Sequence, residues 1–151
     1  MSSSQVGKSE IELNMMGQAI DNDPGPMLYV QPTDSVAEDF SKRRIAPMIS
    51  ACPTLRQKIY RAKGRDSANT ITMKLFPGGS LAIVGANSPS DLASKPVRYI
   101  FFDEIDRFPL SAGTEGDPIK LAERRTETYR HNRKIVKTST PTIKGASKIE
   151  D

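Results

Sequence analysis

The N-terminal residues 2–9 read SSSQVGKS and resemble a phosphate-binding loop. The pattern G-x-x-x-x-G-K-[S/T] describes a glycine-rich loop whose backbone N–H groups surround phosphates, and it lies between a strand and a helix. Gly7, Lys8 and Ser9 match the end of this pattern, whereas Ser2 stands at the position of the first glycine. Three matching residues are a weak signal by themselves, because they occur by chance in many proteins.

A pair of acids follows the apolar run YIFF at residues 99–102. A buried parallel strand brings the residues that follow it to the carboxyl edge of the sheet, where α/β proteins bind ligands. We therefore expect Asp103 and Glu104 at that edge, where an unpaired buried carboxylate would be costly. A hydrated Mg2+ beside the phosphates of a nucleotide would account for both acids, since magnesium prefers carboxylates together with phosphate oxygens. The alternative is an acidic strand end that pairs with nearby basic side chains.

These residues predict a site for ATP and Mg2+, with the roles that phosphoryl transfer requires. We expect Lys8 to reach the β- and γ-phosphates, Gly7 to let the backbone approach them, and the following helix to add its N-terminal amides. Ser9 and Asp103 would hold Mg2+. Glu104 would orient and activate the attacking water. The other loop residues expected to contact the phosphates of ATP are Ser4, Gln5 and Val6.

A third polar group, TSTPT, occupies residues 138–142 at the end of a predicted strand. Hydroxyl groups at a strand end near a γ-phosphate could detect whether that phosphate is present. The alternative is that these residues simply begin a turn before Pro141.

Length and composition are those of one globular domain. The 151 residues, of which 36% are hydrophobic and 26% charged, are enough for a sizeable buried core. No apolar run approaches the roughly 18 residues that span a membrane, and the serine-rich N-terminus does not resemble a signal peptide. The single cysteine, Cys52, excludes an internal disulfide and is expected to be a small, half-buried residue.

Basic residues cluster at 42–44, 56–65 and 124–137, within a chain of net charge +4. Such clusters are suited to contact a nucleic-acid backbone. The alternative, which charge alone favours, is that they form solvated helix faces.

Helix and strand signals alternate along the chain and predict an α/β fold. Apolar residues within 11–20 give a wide helix face, and the sequence DPGP at 23–26 ends that helix. Ser35 and Glu38 have capping-box spacing, which predicts a second helix that Pro47 ends or kinks. Near-continuous apolar strands predict a largely parallel sheet covered on both faces. The other predicted elements are strands at 27–31, 97–104 and 134–140, a hairpin of 70–76 with 80–86, a helical turn at 88–94 and a helix at about 117–131.

Six segments then carry a resemblance that covers nearly the whole chain in a consistent order: SSQVGKSE, DPGPMLYVQPT, FPGGSLAIVGANSPSDLAS, VRYIFFDEIDRFP, AGTEGDP and VKTSTPTIKGAS. Together they resemble the ATPase half of phage terminase large subunits of the GpA, or lambda-like, family. The resemblance implies a P-loop NTPase fold of the ASCE, RecA-like type. The positions that match are Gly7, Lys8 and Ser9 in the phosphate-binding loop, Asp103 and Glu104 as the metal-binding and catalytic acids, and Ser139 and Thr140 in the segment that couples hydrolysis to movement.

This resemblance implies an ATP-driven motor that moves double-stranded DNA into an empty procapsid, in the bacterial host cytoplasm and without a membrane segment. It also implies a small terminase subunit and the portal of the procapsid as partners, and a homo-oligomer for the full-length protein. No arginine lies inside the loop. Arg65 and Arg98 are therefore candidates for the arginine that stabilises charge during hydrolysis.

In that family a strand precedes the phosphate-binding loop and a metal-dependent nuclease domain follows the ATPase domain. Residues 1–151 are thus expected to be a partial ATPase domain, truncated at its N-terminus and lacking the nuclease. The family's sheet order would leave residues 134–140 as an exposed apolar edge. We accordingly expect the 151-residue chain alone to bind ATP weakly and to hydrolyse it barely.

Two other functions stay open at this point. A helicase-like, DNA-dependent ATPase is one, because residues 103–106 read DEID. The other is a non-catalytic remnant that binds DNA or a terminase partner.

Overall fold

A five-stranded sheet with strand order β2-β3-β1-β4-β5 forms the centre of the structure. The computed structural model describes residues 7–59, 70–140 and 147. The strands β3, β1, β4 and β5 run parallel, and β2 is antiparallel to β3 through the predicted hairpin. The predicted α/β fold with a mostly parallel sheet is therefore confirmed. The strands are β1 (Pro26–Gln31), β2 (Met73–Phe76), β3 (Gly79–Gly85), β4 (Tyr99–Phe102) and β5 (Lys134–Lys137).

Helices connect the strands and cover both faces of the sheet. Between β1 and β2 the helical backbone passes through a π-helical segment, Ser41–Ile45, and two short 3-10 segments, Ile105–Arg107 and Arg124–Tyr129, occur later. No helix among residues 7–59 and 70–140 is long and apolar enough to cross a bilayer. The α-helices are α1 (Lys8–Asn22), α2 (Asp34–Phe40), α3 (Ala46–Ala51), α4 (Pro53–Lys58), α5 (Pro89–Leu92) and α6 (Pro118–Glu123).

Two hydrophobic cores lie on opposite faces of the sheet, because successive strand residues point to opposite sides. Tyr29 and Phe101 belong to the core that packs under α1 to α4. Val30 and Phe102 belong to the core that packs against α5 and α6. Both faces are buried, which explains why the central strands read as nearly continuous apolar runs.

The first helix has a narrower apolar face than the sequence predicts. Leu13, Met16 and Ile20 are buried against the sheet, and the helix ends at Asn22 as expected. Ile11, however, is 59% exposed, because it lies on the side of α1 that faces away from the core.

Two predictions about the second helix are wrong. Thr33, not Ser35, is the N-cap, since its side chain accepts a hydrogen bond from Val36 N at 3.3 Å while its own backbone is extended. The helical backbone also does not end at Pro47 but continues to Ala51. Proline lacks the N–H that a regular α-turn would use, and the wider π-turn just before it accommodates that loss.

The strand at the end of the sheet differs partly from expectation. β5 pairs with β4 on one side, and no strand in the described part of the chain pairs with its other side, so the predicted edge position is confirmed. Ile135 and Val136 are half-buried, whereas Lys134 and Lys137 are exposed. The edge is therefore less apolar than predicted, and its lysines oppose pairing with another strand. The predicted helix near 117–131 is α-helical only in its first part.

Substituting Gly79 by alanine should destabilise the fold. A Cβ at this position would lie 2.3 Å from Gly25 O and 2.7 Å from the Phe76 ring, so the backbone must shift. We expect the free energy of unfolding to fall by about 1–3 kcal/mol. Urea unfolding followed by circular dichroism would measure it, with Ser80→Ala on the same strand as the control. Equal urea midpoints for the two variants would contradict this account of the packing.

Candidate active site

The site is built around the N-terminus of α1, directly after the predicted loop motif. Gly7 has a φ of 126°, a conformation that glycine adopts readily and residues with a Cβ do not. Its carbonyl accepts the first helical hydrogen bond, from Ile11 N at 3.0 Å. The free N–H groups of the first turn and the helix dipole make this end attractive to anions. The predicted phosphate contacts Ser4, Gln5 and Val6 lie outside the described residues.

Three neighbouring parallel strands end beside this helix terminus. Gln31 is the last residue of β1, Asp103 follows β4 and Thr138 follows β5. Backbone hydrogen bonds hold the strand ends in register, from Asp103 N to Val30 O at 3.0 Å and from Thr138 N to Phe102 O at 2.9 Å. The carboxyl edge of the sheet thus collects three polar side chains, as is typical of ligand sites in α/β proteins.

The carboxylate of Asp103 is the centre of the site. It is only 5% exposed and receives hydrogen bonds from Ser9 Oγ at 3.1 Å and Gln31 Nε2 at 3.1 Å, both on Oδ2. Its other oxygen, Oδ1, accepts from Thr138 Oγ1 at 3.0 Å. Ser9 and Asp103 are 94 positions apart in sequence, so the structure brings together the two residues predicted to share a metal ion.

Lys8 reaches the segment that follows β5. Its ammonium group donates to the carbonyl of Ser139 at 2.5 Å, across 131 positions of sequence. The hydroxyl of Ser139 accepts from Asp106 N at 3.1 Å, which fixes the segment against the loop after β4. Thr140 follows immediately and is half-buried. Lys8, Asp103 and Ser139 therefore surround one small region at the sheet edge.

Glu104 leaves the site in a different direction from Asp103. It has φ 57° and ψ 46°, and it is the only non-glycine residue with positive φ in the described part of the chain. This left-handed conformation is uncommon for a residue with a side chain, and such residues occur often at functional sites. The side chain is 27% exposed and lies 3.7 Å from Arg107 Nε.

A buried acid that the sequence prediction did not include lies behind Asp103. Glu12 on α1 is fully buried, and its two oxygens contact Tyr29 OH at 2.5 Å and Thr138 Oγ1 at 3.1 Å. Tyr29 OH also lies 3.4 Å from Asp103 Oδ2. Burial raises the pKa of the Glu12 carboxyl to about 8, and the negative charge of Asp103 acts in the same direction. Burial also raises the pKa of the Tyr29 phenol, next to the same two acids.

A sequence signal for Glu12 exists. It precedes Met16 by four residues and Ile20 by eight, so it lies on the buried face of α1. An acid on an apolar helix face is costly unless it has partners, and it therefore marks a buried polar site. Gln31 has a weaker signal, as the polar end of an apolar strand.

The candidate arginines lie away from this edge. Arg98 precedes β4, at the opposite end of the strand from Asp103, and forms two hydrogen bonds with the carboxylate of Asp23 at 2.8 and 2.5 Å. Arg65 lies outside the described residues. The basic clusters are partly neutralised by ion pairs, as solvated helix faces would be. These pairs are Arg43 with Asp39, Arg44 with Glu10, and Lys58 with Asp21.

The raised pKa of Glu12 predicts a pH-dependent contribution to stability. Its folded pKa of about 8 exceeds the usual value of 4.5, so the folded state retains a proton that the unfolded state loses. Stability from this group is full below about pH 4.5 and declines as the pH rises to about 8. Glu12→Gln cannot titrate and should lack this decline. Urea unfolding of both proteins across this range measures it, and a difference between them that does not change with pH would contradict the assignment.

Relatives of known identity match the chain along its length. A profile of the phage terminase large subunit gpA ATPase domain matches residues 1–151. The chain is 32% identical to the terminase large subunit of Enterobacteria phage P21 and 32% identical to that of Escherichia phage lambda. Each alignment covers 98% of the chain and 23% of the relative. The chain therefore spans about a quarter of the length of these relatives.

Solved structures share the fold. The large terminase ATPase domain of Thermus phage P74-26 superimposes with a TM-score of 0.57 over 92% of the chain and 58% of that domain, at 17% identity. The large terminase of another thermophilic bacteriophage gives a TM-score of 0.56 over 87% of the chain and 30% of that protein, also at 17% identity. Given the profile match over all its residues and the two relatives, the chain belongs to the gpA ATPase-domain family of phage terminase large subunits.

Proposed function

We propose that the chain hydrolyses ATP as the motor domain of a terminase large subunit, driving double-stranded DNA into a procapsid. The observation that carries the proposal is the meeting of Lys8 and Ser9 with Asp103 at the end of a parallel strand. A cation, a hydroxyl and a carboxylate beside a helix N-terminus are the groups that bind a nucleotide triphosphate and its metal. Family membership supports the same activity.

Each residue then has a role set by its position. Lys8 neutralises phosphate charge, and Gly7 allows the backbone of the loop to turn into α1. Glu104 is the candidate for orienting and activating the attacking water, because its carboxylate is the more exposed of the two acids after β4. Ser139, which contacts both Lys8 and the backbone of Asp106, connects the phosphate region to the segment expected to couple hydrolysis to movement.

Magnesium fits the donor atoms that are present. Ser9 and Asp103 offer a hydroxyl and a carboxylate oxygen 3.1 Å apart, and Mg2+ binds through one or two carboxylates together with phosphate oxygens and water. No cluster of three or more His, Cys, Asp or Glu side chains in the described ranges could hold a metal. The ion would accordingly depend on the nucleotide for further ligands. When bound, it would neutralise charge on the transferred phosphate.

Partners follow from the family and are part of the proposal. They are double-stranded DNA, the small terminase subunit, and the portal of the procapsid, with several large subunits acting as a homo-oligomer in the host cytoplasm. A nuclease activity would belong to another part of a longer large subunit.

Removing the cation of Lys8 should weaken nucleotide binding. A hydrogen bond to a charged group contributes about 1.5–3 kcal/mol, so Lys8→Ala should raise the Kd for Mg2+–ATP by about tenfold or more. NMR titration of the 151-residue chain suits this test, since it also measures weak affinities. Lys42→Ala, at an exposed lysine, is the matched control. Equal affinity of the Lys8 variant and the control would overturn the role of Lys8.

Replacing the carboxylate of Glu104 should separate binding from turnover. In a large subunit that contains this chain, Glu104→Gln should keep ATP affinity within about twofold and lower kcat by about a hundredfold or more, because a positioned general base contributes that much. Glu127→Gln, at an exposed glutamate, is the control. Phosphate release and nucleotide binding are measured on the same samples. Unchanged turnover in Glu104→Gln would refute the assignment.

A further inference from the structure

The buried acid Glu12 has no role in the proposed hydrolysis, yet it is connected to the site. It lies on α1 one turn beyond Lys8 and Ser9, and it is 0% exposed. An apolar side chain of similar volume would fill the same space without the cost of burying a carboxyl group. Its two oxygens instead have separate partners on different strands.

Those partners are hydroxyl groups that also contact Asp103. Tyr29 OH is 2.5 Å from Glu12 Oε2 and 3.4 Å from Asp103 Oδ2. Thr138 Oγ1 is 3.1 Å from Glu12 Oε1 and 3.0 Å from Asp103 Oδ1. Glu12 and Asp103 are thus joined through two shared hydroxyls, without a direct hydrogen bond between the acids.

The number of protons in this network assigns a direction to each hydrogen bond. Each hydroxyl has one proton, and the proton of Tyr29 belongs to its shorter contact, with Glu12. If Glu12 carries a proton on Oε1 and donates it to Thr138, the proton of Thr138 is free for Asp103. All three groups are then satisfied, and Asp103 keeps its negative charge with three donors. Without Glu12, the hydroxyl of Thr138 can turn to its other acceptor, Phe102 O at 3.4 Å.

We propose that Glu12 is a positioning residue that, through Thr138 and Tyr29, orients the Asp103 carboxylate for its metal. The proposal rests on the proposed function in one respect, namely that Asp103 is a ligand of Mg2+. Glu12 does not touch the nucleotide or the metal. It acts by making Thr138 a donor to Asp103 and by tying α1 to the ends of β1, β4 and β5.

Two variants in the 151-residue chain test this proposal. Glu12→Gln is the conservative variant, because its amide N–H can donate to Thr138 while its carbonyl accepts from Tyr29. The double variant Glu12→Leu, Tyr29→Phe removes the carboxyl together with the phenol, so no buried hydroxyl of Tyr29 loses its partner. Urea unfolding checks that both variants fold.

The first measurement is the affinity for ATP with Mg2+ and with EDTA, by NMR titration. The gain in affinity that Mg2+ provides should be retained in Glu12→Gln and reduced about three- to tenfold in the double variant, since one well-oriented hydrogen bond is worth about 1 kcal/mol. A folded double variant that keeps the full Mg2+ effect would overturn the proposal, because a purely structural Glu12 predicts that result.

The second measurement needs no nucleotide and separates this proposal from the proposed function. The carboxyl carbon resonance of Asp103 reports its hydrogen bonds, and it should move in the double variant and return towards wild type in Glu12→Gln. If wild-type protein shows no Mg2+ effect on ATP affinity, the proposed function fails and this resonance still decides the positioning role. An Asp103 resonance that is the same in wild type and the double variant would refute it.

Discussion

A carboxylate that is only 5% exposed must be compensated for the water it has lost, and three elements of this fold provide that compensation for Asp103. Ser9 comes from α1, Gln31 from the end of β1 and Thr138 from the end of β5. These residues can converge because the strands are parallel and in register, so their carboxyl ends lie side by side. The sheet order, the position of α1 and the site are thus consequences of one another.

The two adjacent acids after β4 show how the backbone separates two chemical environments. Asp103 points inward and is held by three donors, whereas Glu104 is partly exposed beside Arg107. The left-handed conformation of Glu104 produces this divergence within one residue, before the 3-10 segment begins. Two acids with different surroundings are suited to different tasks, as in other sites that pair a fixed acid with an accessible one.

The sequence predicted the parts of the structure that depend on local pattern. Apolar strands, the hairpin and the pair formed by Ser9 and Asp103 follow from residue type, chain order and the rule that strand ends collect ligands. The cap at Thr33 and the π-helical segment before Pro47 were not predictable, because several residues could cap the helix and a π-turn has no sequence pattern as clear as the loss of a proline N–H. Glu12 was missed for another reason. Its partners, Tyr29 and Thr138, are 17 and 126 positions away, so nothing local indicates that a buried acid there is satisfied.

Lys8 connects the two functions that the proposed motor requires. Its ammonium group has three N–H donors, and the contact with Ser139 O uses one of them. The others are able to bind phosphate oxygens while the contact with Ser139 is kept, so a single cation would touch both the nucleotide and the segment after β5. That segment is also fixed to the loop after β4 through Asp106 N and Ile105 N. A change in charge at the phosphates would therefore act on the segment after β5 through a direct contact, and the distance between chemistry and movement in this domain is one side chain.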